Sequence, residues 1–113
     1  MSKFQEALDL YTKELKDKAG VTADADLLKA VTKACGPAIY NEDSKRVAMS
    51  DALELERVKK NFLIKKLGLS DGPALDTAIQ EVGAQLGKSN KNKYRAMFYY
   101  LLTKKFGKES VFA

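Results

Sequence analysis

The stretch KNKYRAMFYYLLTKKF, from Lys91 to Phe106, constrains the fold more than any other part of the chain. Tyr94, Met97, Phe98, Leu101 and Leu102 recur at the i, i+3, i+4, i+7, i+8 spacing that brings side chains to one side of an α-helix. Basic residues fence the run at both ends. The pattern predicts the central, core-facing helix of a small all-α protein.

Three further segments carry the same period. Phe4, Ala7, Leu8, Tyr11 and Leu15 predict a first helix from Ser2, as N-cap, to about Lys18, with Ala19-Gly20 as its exit. Leu27, Leu28, Val31 and Cys35 predict a second, capped by Thr22 or Asp24 and stopped by Gly36-Pro37. Leu75, Ile79, Val82 and Leu86 predict a helix that opens at Pro73 and ends at Gly87. Ser89 to Asn92 are expected to cap the central helix, and Lys104, Lys105 and Gly107 to close it.

The helix expected from Ser50 or Asp51 to Leu67 is different. Its first half turns Leu55, Val58 and Phe62 to one side, and its second half turns Leu63, Ile64 and Leu67 to nearly the opposite one. Such a helix is sandwiched between two neighbours, changes direction near Asn61, or offers a second apolar face to a partner. For so small a protein the sandwich is the first expectation. Between Gly36 and Ser50 the periodicity fails; Ile39 and Tyr40 are expected to pin this loop, with Asn41, Asp43 and Ser44 forming local turns. The fold class is therefore all-α, a compact bundle of about five helices in a single domain, 1–113, around a central C-terminal helix.

Composition excludes more chemistry than it suggests. With no histidine and one cysteine the chain has no Ser-His or Cys-His nucleophile pair, no His-ligated metal and no thiolate metal site. Asp24 with Asp26, and the three carboxylates or amides of the 36–50 loop, lack the ligand count and spacing of a calcium loop. No metal, no cofactor and no enzymatic activity are expected. Cys35, on an apolar stripe, is read as a structural thiol. The N-terminus lacks the apolar core of a signal peptide and no apolar run approaches the ~20 residues of a membrane span, so a cytoplasmic protein is expected.

Charge is the one feature that points outward. The net charge is +5, yet residues 1–56 carry 8 Lys+Arg against 11 Asp+Glu, while residues 57–113 carry 12 against 4. The halves either attract each other within the fold or present a basic surface to an anionic partner. Gly87-Lys88-Ser89 resembles the end of a phosphate-binding P-loop, but Val82 stands where the first glycine is required, and the tripeptide follows a helix and not a strand. Lys59, Lys60, Lys88, Lys91, Lys93 and Arg95 are the candidate contacts for an anion or a nucleic acid, the last four around a helix N-terminus. Arg95, one turn before Tyr99, is placed for a cation–π contact.

The strings GPAIYN (Gly36 to Asn41), VKKNFLIKKLGLSDGPALD (Val58 to Asp76) and SNKNKYRAMFYYLLTKKFGKESVF (Ser89 to Phe112), together with the opening MSKFQEAL, resemble a family of short bacterial proteins known only as a domain of unknown function. The likeness covers essentially the whole chain. It implies a helical, free-standing bacterial cytosolic protein and transfers no site residues. The functional expectation is a small non-enzymatic binding or regulatory module. It would use the second face of the Asp51 to Leu67 helix or the basic half, towards a protein partner or a second copy. The alternative is a nucleic-acid-binding protein using the basic C-terminal half.

Overall fold

In the structure, a computed structural model that describes residues 3–42 and 44–112, five α-helices run in the order α1 (Lys3–Ala19), α2 (Ala25–Cys35), α3 (Ala52–Arg57), α4 (Pro73–Gln85) and α5 (Arg95–Lys105). Short 3₁₀ turns follow α2 (Gly36–Tyr40) and close the chain (Glu109–Phe112). Ser2 and Asp43 lie outside the described residues.

The all-α expectation holds, and its centre is α5. Ala96, Met97, Phe98, Tyr100, Leu101, Leu102 and Thr103 are all buried, so this helix is covered on nearly every side. It packs on α1, α2 and α4. From α1 come Tyr11 and Leu15; from α2, Leu27, Leu28 and Val31; from α4, Leu75, Ile79, Val82 and Leu86 at the end of the helix, all buried as their spacing predicts. Tyr100 adds a polar link, its hydroxyl accepting a hydrogen bond from the backbone N–H of Asp24 at 2.8 Å. Asp24 is also the N-cap of α2, its carboxylate accepting from the N–H groups of Asp26 and Leu27.

Helix α3 does not end where its hydrogen bonds change. It continues as a π-helix over Val58–Ile64, in which Lys65 N–H reaches Lys60 C=O at 3.1 Å and Leu67 N–H reaches Phe62 C=O at 2.9 Å. In an α-helix a step of five residues overshoots a full turn by about 140°. The wider π-turn takes up that overshoot, which lets Phe62 and Leu67 both enter the core. The two conflicting stripes are the trace of this change of period. Val58, Phe62, Leu63 and Leu67 are all buried, so the second face is spent internally. The segment leaves through Gly68, at φ 73°, with Leu69 N–H bonded to Leu63 C=O at 3.0 Å, the six-to-one closure that glycine permits.

The connection from 36 to 51 is pinned by Ile39 and Val47, 5% and 3% exposed, while Tyr40 is 49% exposed and pins nothing. Val47 N–H donates to Lys93 C=O at 2.8 Å, and Arg46 and Tyr94 form an isolated antiparallel bridge. This pairing holds Tyr94 extended and outside the helix, so α5 starts at Arg95 and not at Lys91. Tyr94 is its N-cap, without a side-chain cap bond.

Two acids held away from water make the fold sensitive to alkali. Burial pushes the Tyr11 hydroxyl up to about 12 and the Cys35 thiol up to about 11. Both hold their protons more tightly folded than unfolded, so their contribution is complete below about pH 9 and is lost as the pH climbs through their folded values. Urea unfolding across that range should show wild type losing on the order of 3 kcal/mol more than Cys35→Ala between pH 8 and about pH 11.5. Parallel pH profiles for the two proteins would show that the thiol is not shielded in this way.

Candidate functional site

The six cations singled out by the sequence divide into two groups. Lys59 lies 3.0 Å from Asp71 and 3.2 Å from Asp76, which together hold its pKa above the ordinary value. Lys60 pairs with Glu56 one turn back at 3.3 Å. Arg95 pairs with Glu54, each side chain only 12% exposed, and its Nη1 donates to the Tyr99 hydroxyl at 3.0 Å. Its Nε donates to Ser44 C=O at 2.7 Å, and the guanidinium carbon sits 5.7 Å from the Tyr99 ring centroid. Lys59 and Arg95 are compensated within the fold, while Lys60, itself exposed, shares a surface pair, so all three have less charge to spare for a partner than an unpaired lysine.

Lys88, Lys91 and Lys93 differ: none of them forms an ion pair with a described residue. All three line one depression of about 440 Å³, whose other wall is Val47, Met49 and Ser50 from the connection before α3. A smaller recess of about 190 Å³, between Met49, Gln80 and Gly83, shares Lys88 and Lys93. Lys88 and Lys91 are exposed, whereas Lys93 is only 5% exposed.

The loop explains why a lysine is buried there. Asn90 donates through Nδ2 to Leu86 C=O at 2.9 Å and accepts from Asn92 N–H at 2.9 Å, and its own N–H reaches Gly87 C=O at 3.0 Å. Those bonds fold residues 87–92 into a tight turn, and Val47 then fixes the backbone of Lys93 from the opposite side. The Lys93 ammonium donates to Asn90 C=O at 2.6 Å. An ammonium carries three donors, so two remain for another acceptor. Burial lowers its pKa, the mark of a cation that the protein leaves uncompensated.

The chemistry of the depression suits an anion: among the described residues that line it, the titratable side chains are three lysines. Among the described residues no three of His, Cys, Asp or Glu converge where a metal ion would sit. Sequence reasoning found the cations but missed Val47, Met49 and Asn90, which shape the cradle. The only signal for them was the turn-forming run SNKN.

Fold and site together define a small all-α protein with a basic depression at the entry to its central helix. The chain belongs to the family described as Protein of unknown function (DUF2853), whose model matches residues 10–110 and so spans the whole depression. No curated protein matches the chain. Among the described residues no helix is long and apolar enough to cross a membrane.

Proposed function

We propose that the protein is a non-catalytic binding module for small phosphate-bearing anions, held by Lys88, Lys91 and Lys93. The observation that carries this reading is Lys93, a residue 5% exposed whose ammonium has no carboxylate partner among the described residues, on the wall of a depression lined by two further lysines that lack one too. A buried charge with no counter-charge is costly, and an anion bound beside it would offset that cost. Inorganic phosphate supplies the negative charge and the several acceptor oxygens that two spare ammonium donors and two flexible lysines can satisfy.

The same observations favour a small anion over a nucleic acid. Tyr100 is buried with its hydroxyl bonded to Asp24, and Tyr99 stacks on Phe62, so neither offers a free ring face for bases next to the lysines. A protein-docking face is less favoured too. Leu53, Tyr40, Leu10 and Val111 are the large apolar side chains exposed among the described residues, and they come from four separate elements.

Titration of ¹⁵N-labelled protein with inorganic phosphate and pyrophosphate tests the proposal. Saturable amide shifts over residues 87–95 are expected, weakening as salt rises from about 50 to 200 mM, and at least about ten-fold weaker binding in Lys93→Met. Shifts that scatter over the surface without saturating would defeat it. Tight binding of labelled oligonucleotides with a steep salt slope, but no response to phosphate, would put nucleic acid in its place.

A further inference from the structure

A second cleft, of about 320 Å³, opens between α2, the π-helix and α5 and shares no lining residue with the lysine depression. Cys35 and Ala34 form one side, Arg95 and Tyr99 another, and Asn61, Phe62 and Lys66 the third. Its size is that of a small-ligand site. Nothing in the phosphate-binding reading uses it.

The π-helix is what builds the third side. Asn61 and Lys66 are five residues apart and would stand about 140° from each other on an α-helix. The i+5 hydrogen bonds of Lys65 and Leu67 bring that spacing to one side, so both residues line the cleft with Phe62 between them. Such single widened turns are found disproportionately at functional sites.

The lining is apolar below and cationic at its edge. Phe62 and Tyr99 stack face to face, ring centroids 3.9 Å apart and planes 10° from parallel, and give the cleft an apolar aromatic lining. Lys66 has no ion-pair partner among the described residues and rests 5.3 Å from the Phe112 ring centroid. Arg95 engages three of its five N–H donors, one each to Ser44, Tyr99 and Glu54, and keeps two. Glu54 offsets the Arg95 charge, so Lys66 leaves the cleft with one net positive charge. The Asn61 side chain is exposed and adds both an amide donor and an acceptor.

We infer that this cleft binds a small carboxylate with an apolar body, the carboxylate meeting Lys66 and the spare Arg95 donors and the body lying against the Phe62 and Tyr99 side chains. A monoanion matches the single uncompensated charge, and an apolar body matches the aromatic lining.

The probe is sodium benzoate, with neutral benzamide as its isosteric control, followed by ¹⁵N amide shifts on the full chain. Benzoate is expected to give saturable shifts at Ala34, Cys35, Asn61, Phe62 and Tyr99, and to slow the alkylation of Cys35 by N-ethylmaleimide, since that thiol lies in the cleft. Benzamide should bind at least about ten-fold more weakly, and Lys66→Glu should weaken benzoate by a similar factor. Lys66 is exposed, so that variant is expected to keep the fold, and far-UV circular dichroism checks that it does. Three results would overturn the inference: no saturation up to about 20 mM benzoate, equal binding of benzamide, or shifts confined to residues 87–93. The last would place the carboxylate at the lysine cradle and leave the reading of that cradle standing.

Discussion

Arg95→Ala is expected to lower the free energy of unfolding by about 3–5 kcal/mol, a large part of the ~5–15 kcal/mol that a domain of this size has. The guanidinium joins three parts of the chain: the loop through Ser44, α3 through Glu54, and its own helix through Tyr99. Removing it strands the Glu54 carboxylate, 12% exposed, with only the exposed Arg57 at 3.7 Å to compensate. Ser44 C=O loses its charged donor as well. Arg95→Lys should recover little, because one ammonium cannot reach three acceptors set around a planar fork. Urea unfolding curves measure this directly. A loss under about 1 kcal/mol would mean that the pair behaves as a solvated surface bridge.

Phe98→Ala is expected to cost about 3–5 kcal/mol as well, by a different mechanism. Phe98 is 0% exposed in a helix covered on nearly every side, so neighbouring elements cannot easily collapse into the space left by the ring. Leu53→Ser provides the contrast. Leu53 is 68% exposed in the first turn of α3, and its replacement should change stability by no more than about 0.5 kcal/mol. The two variants should share the wild-type denaturant slope and differ in midpoint. Similar midpoints for Phe98→Ala and wild type would show that α5 is not the centre of the core.

The helices were legible because amphipathic period is a local property. The stripes of α1, α2, α4 and α5 are carried by residues within each segment, and the structure buries those residues or packs them, half-buried, against the core. The π-helix was legible only as a contradiction, two stripes on opposite sides of one helix around Asn61. Periodicity at a constant angle per residue has no way to express a turn that widens partway. The start of α5 was misplaced by four residues because the pairing of Val47 with Lys93, and of Arg46 with Tyr94, joins segments 46 and 48 residues apart. A capping signal in SNKN cannot compete with contacts that are absent from its own window.

The cradle shows the same division. Six cations were visible, but not which of them would be neutralised. Glu54 meets Arg95 from 41 residues away, which is one place where the acidic first half and the basic second half attract each other inside the fold. Asp71 and Asp76 reach Lys59 from beyond the turn at Gly68. Once these partners are counted, Lys88, Lys91 and Lys93 remain, and Lys93 is the one that a basic surface would not have buried.

That burial permits a direct test of the anion-binding account, through the thermal unfolding midpoints of wild type and Lys93→Met with and without inorganic phosphate. A methionine keeps the buried apolar stem and removes the uncompensated charge. The account expects Lys93→Met to melt higher than wild type in the absence of phosphate. It expects saturating phosphate to raise the wild-type midpoint by several degrees, the few kcal/mol of a ligand present at about 100 times its dissociation constant. The variant should respond little, so that the two midpoints converge as phosphate is added. A variant that melts lower than wild type yet keeps the full phosphate response would contradict the account, because Lys93 would then be a structural residue and the anion would bind elsewhere.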